Sequence, residues 1–474
     1  MPPSRMSSLA VKNSQPNSME AVCPKIMVDE EACGRPIYNA PSGIDAEPVC
    51  LMHSLDPTKD KRAFREEIDA ILRGESKCHR GKPKWLDASD RFEFTGFVFP
   101  EARFNNASFN HNADFTLAVF LTKADFHGAK FNQEVYFRSA TFRGTAAFSG
   151  AEFAGDAYFE VTRFNRVVWF HRTRFMRRAH FDRTAFCTLA NGDERVQQMV
   201  ADACPSILEF KDVRTDHPEL VVFYKVNKDG REGLRARFVN CEKLDLFRFE
   251  DVNWYSKAGR VVLQDELDIT DPPKAQAATE EEQMTTWAES HELVAIAYRR
   301  LVSNAERARN YDLAEDCYVG AMEMKRLDPR ASLSSRAIVT LYKWLSVYGS
   351  SYTRALGMLG GFLLAFVLLF PAFGLRMTDP QEAERVQCPV AAPGSPESSV
   401  ISWGCAMAHA EVGREAWGTF KAGLLAAAET ATFQRRPALE PENNWGRAVA
   451  MTEVVVIPGQ LALLFLALRR RFRR

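Results

Sequence analysis

Residues 113–153 read ADFTLAVFLTKADFHGAKFNQEVYFRSATFRGTAAFSGAEF. Phenylalanine returns at Phe115, Phe120, Phe126, Phe131, Phe137, Phe142, Phe148 and Phe153, in steps that alternate five and six. Outward from this stretch the same comb includes Phe99, Phe104 and Phe109 on one side. On the other it includes Phe159, Phe164, Phe170, Phe175, Phe181 and Phe186, seventeen rings in all. Two residues before the rings stands a small or β-branched side chain, as at Ala102, Ala107, Ala113, Ala118, Val135, Ala179 and Thr184. Neither 3.6 nor 2 divides such a step, so neither a helix nor a flat strand accounts for it. A fixed period is the signature of stacked repeats. Each short segment makes one side of a coil, and its Phe points inward onto the Phe of the next coil. Alternation along an extended segment turns the small residue inward as well. Positions such as Asn105, Lys123, Arg138 and Glu152 face water.

This pattern resembles the pentapeptide-repeat family, and the resemblance covers residues 90–255. It implies a mainly β fold, a right-handed quadrilateral β-helix. The extra residue in every second unit departs from the strict five-residue form. Eleven residues per two sides give about 22 per coil, and coils stack at about 4.8 Å. The comb weakens after Phe186 and returns at Phe238, Leu244, Phe249 and Trp254. Residues 187–220 therefore read as an irregular insertion and 221–255 as the last coils. Solenoid ends need caps, for which the segment before Phe94 and the helices after 280 are the candidates.

The chain has 474 residues and a formal net charge of zero, which gives no reason to expect nucleic acid as a partner. Seven arginines (163, 166, 172, 174, 177, 178 and 183) form a basic stripe, read as a solvated face or as a surface for lipid headgroups, nucleic acid or an acidic protein. Residues 355–375 carry no charge and are long enough to span a bilayer core of about 30 Å. A second apolar run, 448–468, contains Glu453, Pro458 and Gln460 and ends in RRRFRR. Arg336, Lys343 and Arg354 precede the first span, and five arginines follow the second. Both termini are thus expected in the cytoplasm, with 376–447 outside. Tyr342, Trp344 and Tyr348, within 332–353, read as an interfacial anchor or as a packed elbow helix.

Cys23, Cys33, Cys50 and His53 fall in turn-rich sequence, within an N-terminal segment and cap of 1–75. Three thiolates and one imidazole match a closed structural Zn²⁺ site, with scattered free thiols as the alternative. So short a segment cannot fold on its own core, and a metal would supply the missing free energy. Cys388 and Cys405 lie in the loop expected outside, where an oxidising compartment lets them pair. Cys78, Cys187, Cys204, Cys241 and Cys317 read as buried small side chains.

Residues 284–329 carry helical apolar spacing in two runs, with Asn310 and Asp312 at the turn. The pairing of AYRRL with YDLAEDCY and MEMKRL resembles the connector of bacterial membrane-bound pentapeptide-repeat proteins. The region 332–474 holds span 355–375, a short apolar segment 415–434 and span 448–468. That order resembles the two-span ion-channel family, in which the re-entrant tip forms the filter. The resemblance implies Glu429, Thr430 and Thr432 near a filter, with Glu453 in a vestibule. No Gly follows the threonines, and Arg435 and Arg436 come next, so potassium selectivity is not implied. His111, His127, His171 and His180 fall on outer solenoid positions, and no catalytic constellation stands out, so no enzyme is expected. The expectation is a multi-pass protein of the bacterial inner membrane with the lipid bilayer as partner. It carries either a channel-like homo-oligomeric pore or a tethered scaffold whose β-helix binds an unknown protein.

Overall fold

The structure is a computed structural model. It describes residues 22–27, 30–39, 43–76, 91–186, 206–228, 233–270, 280–373, 375–377, 400–401, 420–421, 423–428, 430, 439–441 and 444–472. The chain divides into two units, 1–276 and 277–474.

In the first unit the comb becomes a β-solenoid of about six turns. Its short strands line up in four parallel sheets of seven, five, six and five strands. The first sheet runs from Arg91–Glu93 through Val135–Tyr136, Ala157–Tyr158 and Ala179–His180 to Arg248–Glu250. Thr141 pairs with Val119 on one side and Arg163 on the other, an offset of 22 residues. Corners alternate in kind. At one, the Ala129 N–H donates to the Phe126 carbonyl at 3.0 Å, and Gly128 takes φ +64°. At the next, residues 132–134 make an open bend. The left-handed position recurs every eleven residues, at Asn106, Leu117, Ser139, Gly150, Val161, Arg172 and Arg183. Leu117 and Val161 hold it despite the crowding that disfavours it for bulky or β-branched side chains.

The seventeen rings are all buried. They form four files of near-parallel stacks, such as Phe115 on Phe137 on Phe159 (5.0 and 5.2 Å) and Phe120 on Phe142 (4.4 Å). Edge contacts join the files, as between Phe126 and Phe137. Each such pair adds about 0.5–1.5 kcal/mol beyond area burial. Three inward hydroxyls are satisfied by the coil below: Thr162, Thr173 and Thr184 donate to the carbonyls of Phe137, Phe148 and Phe159.

The insertion is shorter than the sequence reading placed it. Ile207–Glu209 pairs with Val168–Trp169, and Arg214–Thr215 with Arg174–Phe175, so the coils have resumed by residue 206. Phe210 and Phe223 continue the inner files: Phe223 stacks on Phe181, and Phe210 lies tilted against Phe170. Residues 187–205 lie outside the described residues.

Both solenoid ends are covered. At the first, helix α1 (Lys61–Leu72) buries Phe64, Ile68 and Ile71, and Phe64 meets Phe99 edge-on. Its cap is Asp60, whose side chain accepts from the N–H groups of Arg62 and Ala63. At the other end, helix α2 (Gln264–Thr270) brings buried Asp265 to the Phe238 N–H at 2.8 Å.

The second unit begins with a helical hairpin, α3 (Glu280–Arg307) and α4 (Tyr311–Leu327), with the Asn310 side chain capping α4 at Leu313. Tyr298 is fully buried over Gly320. Helix α5 (Leu333–Ser346) follows, then α6 (Tyr352–Phe373) and α7 (Asn444–Phe472). The last two are long and apolar enough to cross a membrane. Residues 420–421, 423–428 and 430 are helical, and Ala426 and Ala427 pack with Phe366, Val367, Phe370 and Ile457. A Cβ on Gly423 would lie 2.1 Å from the Val367 carbonyl oxygen. Pro371 lacks the N–H that would otherwise bond that carbonyl inside α6.

Candidate metal centre

A small antiparallel ladder builds the N-terminal site. The Cys23 N–H donates to the Arg35 carbonyl at 2.8 Å and the Cys33 N–H to the Lys25 carbonyl at 2.7 Å. This hairpin closes the nine-residue gap between the two cysteines. Cys50 enters through a bridge to Ile37, and the turn after it returns His53 to the same point. The three sulfurs and one His53 ring nitrogen lie within 4.8 Å of one another, and all four residues are buried. Cys33 Sγ is 3.8 Å from Cys50 Sγ, and His53 Nδ1 is 3.5 Å from Cys23 Sγ and 3.2 Å from Cys50 Sγ. Zinc with Zn–S of about 2.3 Å and Zn–N of about 2.0–2.1 Å sets tetrahedral edges of about 3.8 and 3.6 Å. The donor set fits that geometry.

The surroundings orient the donors. His53 Nε2 lies 3.0 Å from the Thr95 carbonyl in the first coil, which leaves Nδ1 facing the sulfurs. His53 also meets Phe97 edge-on at 5.2 Å. Hydrogen bonds from Cys23 and Cys50 hold the Cys33 thiol well below its usual range, and the nearby Arg35 charge adds to this. Burial opposes a charged His53 imidazole, but its Cys23 and Cys33 neighbours outweigh burial and raise it to about 9. Arg35 is almost wholly buried. It reaches Cys33 Sγ at 3.5 Å, Glu67 at 2.9 Å and the face of Phe97. Lys59, also buried, donates to the carbonyls of Leu51, Ser54 and Val98. Nothing in the sequence marks Arg35 or Lys59. They tie the Cys3His cluster to α1 and the first coil, and those contacts are long-range.

In the helical unit, Thr430 donates its hydroxyl to the Ala426 carbonyl of its own helical segment. Glu453 is fully buried, and neither carboxylate oxygen has a partner among the described residues. Its flanking polar residue Gln460 donates to the carbonyls of Leu345 and Ala355. Glu429, Thr432, Cys388 and Cys405 lie outside the described residues, as do Cys78, Cys187 and Cys204. Cys241 and Cys317 are buried. The three aromatic residues before the first span separate: Trp344 is exposed, whereas Tyr348 is fully buried and donates to Glu323 at 2.9 Å.

The basic stripe is instead a belt. Arg163 to Arg183 fall within a single 22-residue coil, so the seven charges are distributed around its sides. Arg163 and Arg174, for example, stand on different sheets. A flat partner cannot meet them all at once.

A family model of pentapeptide repeats, nine copies, matches residues 137–185. These are coils in which the five-six alternation is unbroken. No curated protein and no solved structure matches the chain. The first unit is thus a pentapeptide-repeat β-solenoid, followed by a helical region with two apolar helices.

Proposed function

We propose that the chain is an integral membrane protein that tethers a zinc-stapled pentapeptide-repeat solenoid to a bilayer, as a scaffold for a protein partner. The observation that carries this reading is the contrast between the two units. The solenoid interior is filled by ring stacks, so its binding capacity lies on its outer faces. Helices α6 and α7 expose Leu356, Leu364, Leu368, Val455, Leu461 and Phe465, an apolar surface that lipid would cover. Helix α5 adds exposed Leu333, Ile338, Leu341 and Trp344, which suit the headgroup layer beside Arg336 and Lys343. The excess of Arg and Lys on the flanks favours cytoplasmic termini in a bacterial inner membrane. In reduced intact cells, an impermeant thiol reagent should then label Cys388 and Cys405 and spare Cys23. Labelling of Cys23 with those two spared would reverse the orientation.

A second reading, a homo-oligomeric pore, is favoured by the buried Glu453, unpartnered among the described residues, and by the helical residues 423–428 seated against α6. One pair of spans cannot enclose a channel, so it requires several copies. Conductance of the reconstituted protein, with cation preference lowered in Glu453→Gln, would support it. A strict monomer in detergent that passes no current would leave the scaffold.

A further inference from the structure

We propose a second divalent-metal site on the outer surface of the solenoid, formed by Glu160, His180 and Asp182. The three residues come from two successive coils. Glu160 and Asp182 are 22 apart and stack: the Val161 N–H donates to the Asp182 carbonyl at 2.7 Å. His180 ends the strand Ala179–His180, and Asp182 lies two residues on, on the same outer side. One ligand atom from each of the three lies within 4.8 Å of the others.

Two further observations point to a cation. Asp182 Oδ1 is sealed from solvent and, among the described residues, has no hydrogen-bond donor, although its coil is otherwise rich in arginine. It is the only acidic residue between Arg163 and Arg183. Glu160 and Asp182 occupy the same turn position of successive coils, which brings two like charges together at a cost. A bound divalent ion would relieve both the orphaned oxygen and the repulsion.

The supporting groups are already in place. His180 stacks on Tyr158 at 5.3 Å with the rings 6° apart, which fixes the imidazole plane. Arg138 pairs with Glu160 at 2.7 Å and lies over the rings of Tyr136 and Tyr158. It occupies one side of the Glu160 carboxylate and orients it, as an outer-shell partner does. One imidazole and two carboxylates suit zinc or another borderline first-row ion, with water completing the coordination.

The test uses the full chain in detergent with the cysteine site filled by zinc, titrated with Co²⁺. The wild type should bind one further equivalent. That equivalent should lack the intense near-ultraviolet thiolate-to-cobalt absorption and should quench emission from Tyr158. His180→Ala and Asp182→Asn should each weaken this event by more than about tenfold, while Cys33→Ser leaves it unchanged. Circular dichroism checks that each variant is folded, and Asp182→Asn decides if His180→Ala is not. Equal Co²⁺ binding by the wild type and the folded variants, or none by the wild type, overturns the site.

Discussion

At Phe142 the fold can be tested by one side chain. Its ring stacks on Phe120 and Phe164 and is 1 % exposed. Phe142→Asp removes that packing and strands a charge in a dry interior, a loss on the order of 4 kcal/mol or more. Chemical denaturation followed by circular dichroism should show it. Arg138→Ala, at an outer position, should cost no more than about 1 kcal/mol by the same measurement. Similar losses at the two positions would mean that inward and outward are misassigned. At the metal centre, purified protein should hold about one zinc per chain at this site. Cys33→Ser should release it, read by elemental analysis, and should loosen the first coil, because His53 bridges the site to the Thr95 carbonyl. The inward rings and the clustering of Cys23, Cys33, Cys50 and His53 were legible from spacing and residue type. Arg35 and Lys59 were not, because their partners are distant backbone and side-chain groups that no local pattern announces.

At the level of the element, the C-terminal cap carries a pH dependence. Burial pushes Asp265 up to about 7, with Asp268 and Glu209 adding and the Phe238 N–H and Arg237 opposing. The folded cap therefore holds this proton more tightly than the unfolded chain does. Its contribution is full below the ordinary Asp value of 3.8 and is lost as pH rises through about 7. The solenoid should melt at a higher temperature at pH 5 than at pH 8, and Asp265→Asn should flatten the difference. Thermal unfolding at the two pH values checks this. In the hairpin, a Cβ on Gly320 would sit 2.6 Å from the Tyr298 ring. Gly320→Ala should cost about 1–3 kcal/mol, and Tyr298→Leu should restore part of it; no loss in the single variant would mean that the helices do not pack this way. The hairpin itself was readable from its 3.6-residue period. The resumption of the coils at Ile207 was missed although Leu208 and Val221 stand two residues before Phe210 and Phe223, the same signature as in the regular comb. Leu208 is larger than the usual Ala, and the intervening 187–205 breaks the count.

For the whole molecule, the alternation of tight and open corners has a geometric consequence. Because two unlike corners make up eleven residues, the unit is half a revolution and the smallest neutral edit is two units. Excising 22 residues from the regular coils would shorten the column by one rung, about 4.8 Å, and leave every later side chain at its former azimuth. Excising eleven would keep the corners in sequence yet turn everything beyond the cut to the opposite side. The repeat thus works as a screw thread whose pitch and phase can be set separately: length in steps of 22, heading in steps of eleven. Between Ala102 and Phe186 a surface residue's compass direction is then its number modulo 22.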